Sequence, residues 1–155
     1  MINDSITVKG NVDITLFDKD GNVKQHEYVK NLVTTLGKNF IARKLVDSFI
    51  EGVSPDKIQK IGIGIGTTAA NVADTTLANQ VQINNTHNQT VDNVNTNQAS
   101  YITTFLENQP AAQRTISEVG LFTNNDVMVC RTVLSSTFTK ATTDYLVVNW
   151  TLQIG

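Results

Sequence analysis

The chain has 155 residues, 40% of them hydrophobic and 17% charged, with a formal net charge of −2. That length suits a single domain over residues 1–155 that buries roughly 68–70% of its extended-chain surface. Nine of the twelve basic residues fall in residues 1–60 beside eight acidic ones, so no basic patch stands out and a nucleic-acid partner is not expected. No apolar run approaches the roughly 18 residues that a membrane span needs, so no membrane partner is expected either.

Ile6-Thr-Val8 and Val12 to Leu16 alternate apolar and polar side chains, the period of a half-buried strand. Asp18-Lys-Asp20-Gly21-Asn22 supplies turn chemistry, and Val23 to Val29 returns as the partner strand of a hairpin. From Thr34 the period becomes helical: Leu36, Phe40, Ile41, Leu45, Val46 and Phe49 share one face. Thr34 or Thr35 is the expected N-cap, and Gly52 with Pro55 the stop, giving one packed helix over about residues 34–51.

Ile61, Ile63 and Ile65 then alternate with Gly62, Gly64 and Gly66. Such a strand has one apolar face and one bare face, which implies close packing by another strand, a helix or a second subunit. Residues 67–80 read as a small, polar loop or short helical turn anchored by Leu77, and the Asn-rich stretch 84–97 as polar strands or an exposed loop in preference to a surface arm that contacts a neighbouring subunit. Strands follow at 100–106, 114–122, 127–133 and 144–154, with turns at Asn124-Asn-Asp126 and Lys140 to Asp144. Many short strands interrupted by one helix predict a mainly β, antiparallel β-sandwich or jelly-roll-like fold.

Several residue groups look like chemistry. Gly64-Ile-Gly66-Thr-Thr-Ala69 matches the form of a dinucleotide fingerprint, but no helix-forming run follows it, and residues 84–91 hold no acid for a ribose. Asp18-Lys-Asp20-Gly21-Asn22 starts like a calcium loop, yet the position for the bidentate Glu is Val29. His26 and His87 have no Cys or paired carboxylate nearby in sequence, so no metal site is expected. Cys130, the only cysteine, lies in a strand-like run and reads as a buried, inert thiol. No catalytic residue, cofactor or small-molecule substrate is expected. Glu118 stands apart: between Ile116 and Val119 it is either solvent-facing or buried against Arg114, Arg131 or Lys140.

The order of these features resembles a family of tailed-bacteriophage virion proteins. The resemblance rests on Asn31-Leu32-Val33 before the helix and on the Ile-x-Ile-Gly strand leading to Leu77. It continues through Ile116-Ser-Glu118-Val-Gly120-Leu121-Phe122, Arg131, Lys140 and the Trp150-Thr151 strand. Small capsid decoration (cement) proteins are the nearer likeness. Attachment domains of tail fibres are the further one, because Ser117 stands where that pattern has Arg and no fibre shaft is expected to follow. What the resemblance implies is a non-enzymatic virion protein, made in the host cytoplasm. It would bind the major capsid protein or other virion proteins, and form a homo-oligomer, with a trimer favoured. A tail, baseplate or fibre-attachment adaptor is the alternative, and a carbohydrate-binding β-sandwich a third.

Overall fold

A computed structural model describes residues 5–45, 56–91 and 97–155. In chain order its elements are β1 (Val8–Phe17), β2 (Val23–Lys30), β3 (Leu32–Val33), α1 (Thr35–Lys44), β4 (Ile58–Gly64) and β5 (Gln80–Asn85). There follow β6 (Asn88–Val91), β7 (Gln98–Phe105), β8 (Arg114–Thr123), β9 (Met128–Lys140) and β10 (Tyr145–Ile154). One five-stranded sheet runs β2-β1-β10-β7-β6 and the other β3-β9-β8-β4-β5. Every pairing is antiparallel. The fold is therefore a mainly β sandwich with one short helix among the described residues.

The period-2 alternation of β1 and β10 is what builds the core. Val12, Ile14 and Leu16 face inward with Leu146, Val148, Trp150 and Leu152, and meet Ile61, Ile63, Val119, Leu121 and Cys130 from the second sheet. Each fully buried large side chain among these stabilises the fold by about 1.5–3 kcal/mol relative to exposure. The β1–β2 turn forms as expected: Gly21 takes φ 86°, and the Asp18 carboxylate accepts the Asp20 and Asn22 amides, both at 2.9 Å. Those amides hold the Asp18 pKa below its ordinary value. The acidic turn is thus a hairpin device, with its carboxylate engaged by backbone.

The helix departs from expectation in the face it buries. It closes at Lys44, where the Leu45 amide turns back to the Ala42 carbonyl at 3.2 Å; the residues expected to extend it, 46–51, lie outside the described ones. Phe40 is buried and Ile41 half-buried, but Leu36 and Leu45 are exposed. Contact is made by the narrower Gly37–Phe40–Ile41 stripe, because Gly37 lets the helix lie directly on the β9 backbone. A Cβ there would stand 2.1 Å from the Val129 carbonyl oxygen. Thr34 is the N-cap, accepting the Gly37 amide at 2.9 Å while its hydroxyl donates to the Met128 carbonyl at 2.7 Å. β9 also outruns the expected end at Val133, continuing to Lys140 through an irregularity opposite Ile116–Glu118.

The two sheets are joined where the chain changes layers. Between β5 and β6 the Thr86 amide bonds Gln59 of the second sheet at 2.7 Å, and the His87 amide bonds Ile102 of the first at 3.0 Å. The Asn-rich stretch is thus partly strand, and residues 92–96 fall outside the described ones. At Asn31 the chain steps from β2 to β3. Its side-chain oxygen accepts the Trp150 indole N–H at 3.2 Å and fills the space over Gly10, where a Cβ would come within 1.8 Å of it.

Candidate functional site

The densest polar cluster lies on the outer face of the second sheet. Gly62 and Gly64 of β4, Glu118, Gly120 and Phe122 of β8, and Met128 and Arg131 of β9 share that face. The register pairs Gly62 with Gly120, Gly64 with Glu118, and Gly120 with Arg131. The bare glycine face is covered by the chain's own loop, residues 65–79, and not by a second subunit. Leu77 packs with Phe122 and Met128 into a small second core, its side chain within 3.3 Å of where a Gly62 Cβ would be.

Glu118 is fully buried beneath that loop. Its Oε1 accepts the Gly66 amide at 3.0 Å and the Asn79 amide at 2.7 Å. Its Oε2 accepts the Ala78 amide at 3.0 Å and two N–H groups of Arg131, Nε at 3.0 Å and Nη2 at 2.8 Å. Arg131 continues outward: Nη1 meets the Asp74 carboxylate at 2.6 Å and Nη2 the Thr68 carbonyl at 2.8 Å. Burial works against the Asp74 charge, but the Asn71 amide and the Arg131 guanidinium overcome it and hold this carboxyl below its ordinary pKa. The loop is thereby clasped at both ends and in the middle, and the Thr35 amide ties the start of α1 to its Val72 carbonyl at 2.8 Å.

Both Glu118 oxygens are engaged, which suits anchoring and leaves little capacity for proton transfer. The same geometry explains the fingerprint-like glycines. Gly66 does turn its amide toward an anion, but the anion is the chain's own Glu118, and residues 65–79 form a loop where a dinucleotide fold needs a helix. Gly64 is obligatory for that approach, since a Cβ would lie 2.5 Å from Glu118 Oε1 and 2.6 Å from the Asn79 carbonyl oxygen.

Of the three partners the sequence offered Glu118, Arg131 is the one found. Arg114 is exposed. Lys140 is buried elsewhere and donates to the Leu106 and Asp144 carbonyls at 3.0 and 2.6 Å; burial pulls its pKa below the usual lysine value, with Asp144 opposing. Cys130 is buried, and burial pushes its thiol far above the ordinary range, Asn31 opposing. His26 pairs with Asp13 at 2.8 Å on the surface, and no group of metal-ligating side chains gathers among the described residues. No described helix is long and apolar enough to cross a membrane.

Comparison with known proteins adds no relative. The chain matches no family model, and no curated protein or solved structure is significantly similar to it.

Sequence reading missed Asp74 and the three loop amides of the clasp. Asp74 sits in a stretch with neither helical nor strand period, so nothing in its neighbours marks it. Glu118 was visible because a carboxylate between apolar strand residues is costly unless partnered.

Proposed function

We propose that this protein is a non-enzymatic structural component of a tailed-phage particle, a capsid decoration protein acting through binding. One observation carries the reading. Many of the residues on which the virion-protein resemblance rests are joined in space as well as ordered in sequence. Gly62, Leu77, Glu118, Gly120, Phe122 and Arg131 make the clasped outer face, while Asn31 and Trp150 bond each other where the sheets meet. A motif whose members hold one another is a scaffold motif, and a scaffold repeated by symmetry turns weak contacts into strong avidity.

Ser117 favours decoration over the fibre-attachment alternative. It is buried and its hydroxyl donates to the Gly66 carbonyl at 2.8 Å, so the place where the fibre pattern has Arg is filled by the clasped loop. The test is the copy number of the protein in purified virions relative to the major capsid protein, by quantitative mass spectrometry. A simple fixed fraction supports decoration. A few copies per particle would move the protein to the tail or one vertex, and none would overturn the virion reading.

A further inference from the structure

Folding gathers three lysines that are scattered in sequence. Lys9 at the start of β1, Lys30 at the end of β2 and Lys38 in the first turn of α1 line one groove of about 520 Å³, with Val8, Leu32 and Val72 among its apolar surfaces. All three lysines are exposed, and none has a carboxylate partner among the described residues. No Asp or Glu among the described residues lines the groove. The first turn of α1 carries no acidic side chain either, so its positive end adds to the field of the three ammonium groups. In a chain of net charge −2 this is a local reversal of sign.

We propose that this groove is a docking site for an acidic polypeptide segment that also carries apolar side chains. The charge calls for an anionic partner, and the valine and leucine surfaces call for an apolar component. A nucleic acid fits less well. Among the described residues the groove offers no guanidinium fork for phosphates and no aromatic ring for bases, and the net negative charge of the molecule disfavours a long polyanion. The site stands on its own charges and does not depend on the particle reading.

The test is fluorescence anisotropy with a labelled peptide of repeating Glu-Glu-Leu, against a Lys-Lys-Leu peptide and an oligothymidylate of similar length. Expected is saturable binding of the acidic peptide alone, weakened by salt. Lys9→Gln/Lys30→Gln/Lys38→Gln should weaken it by at least about tenfold. The control Lys19→Gln/Lys57→Gln/Lys60→Gln, with the same change in net charge, should leave it within about twofold. The peptide comparison uses the unaltered protein, so it stands even where a variant is unstable. Absence of saturable binding, equal binding by the two triple variants, or tighter binding of the oligothymidylate would each overturn the proposal.

Discussion

Glu118 on β8 and Arg131 on β9 meet diagonally across the outer face of the second sheet, with two guanidinium N–H groups on one carboxylate oxygen at 3.0 and 2.8 Å. Both side chains are almost wholly excluded from water. Glu118→Ala removes the charge that compensates Arg131 and leaves three loop amides without their acceptor. The expected loss is about 3–5 kcal/mol, or roughly 6–20 °C in melting temperature at this chain length. Glu118→Gln keeps the volume and should cost less, with the same sign. An unchanged calorimetric melt for the Ala variant would show that the clasp contributes nothing to stability.

Asp74 makes the clasp sensitive to acid. Its carboxyl is held below its ordinary pKa in the folded chain, so the unfolded chain binds the proton more readily. The stabilisation is therefore complete above about pH 5 and is lost as pH falls from the unfolded value through the lowered folded one. Asp74→Ala should cost about 1.5–3 kcal/mol at neutral pH. In urea titrations across pH 7 to 3, the gap between variant and parent should narrow toward the acid end. A gap that stays constant or widens would contradict the assignment.

Gly37 reverses the usual ranking of helix residues. In an exposed helix interior Gly→Ala gains about 1 kcal/mol. Here the added methyl would collide with the Val129 carbonyl, a backbone group at the start of β9 that the Thr34 amide holds at 3.0 Å and that cannot swing aside as a flexible side chain would. Gly37→Ala should destabilise by about 1–3 kcal/mol, as other forced overpacking does. Denaturant unfolding decides it, and a gain in stability would mean that α1 does not rest on β9 as described.

Cys130 provides a probe of opening. Its thiol is buried in the core, and burial disfavours the reactive thiolate. An aromatic disulfide reagent should label it orders of magnitude more slowly than a free thiol, with full labelling once urea unfolds the chain. Labelling of the native protein at the rate of glutathione would place this sulfur at the surface.

The residues that announced the fold are those whose neighbours repeat. Alternation in β1 disclosed a half-buried strand, and Asp18 to Asn22 disclosed the hairpin that joins it to β2. Leu36 and Leu45 misled because helical period reports which residues share a face, and not how much of that face is covered. The far end of β9 was hidden because Ser135, Ser136 and Thr137 are exposed and polar, and carry no apolar alternation. In the clasp, Glu118 showed itself by being out of place among apolar residues. Asp74 and the amides of Gly66, Ala78 and Asn79 are defined only by where a loop without period returns in space. The lysine groove was illegible for the same reason: Lys9, Lys30 and Lys38 become neighbours only when β1, β2 and α1 assemble.

β1 and β10 run side by side in unbroken antiparallel register from Val8 opposite Ile154 to Phe17 opposite Tyr145. Thr7 and Gly155 close the ladder with reciprocal amide–carbonyl bonds at 2.7 and 2.9 Å. A tensile load applied between residues 7 and 155 would thus fall on one rung at a time, peeling the pair apart like a zipper instead of shearing all rungs together. The molecule should yield at low force when pulled from these two points. Anything tethered through both would leave from the same corner of the sandwich, with the clasped sheet out of the line of stress.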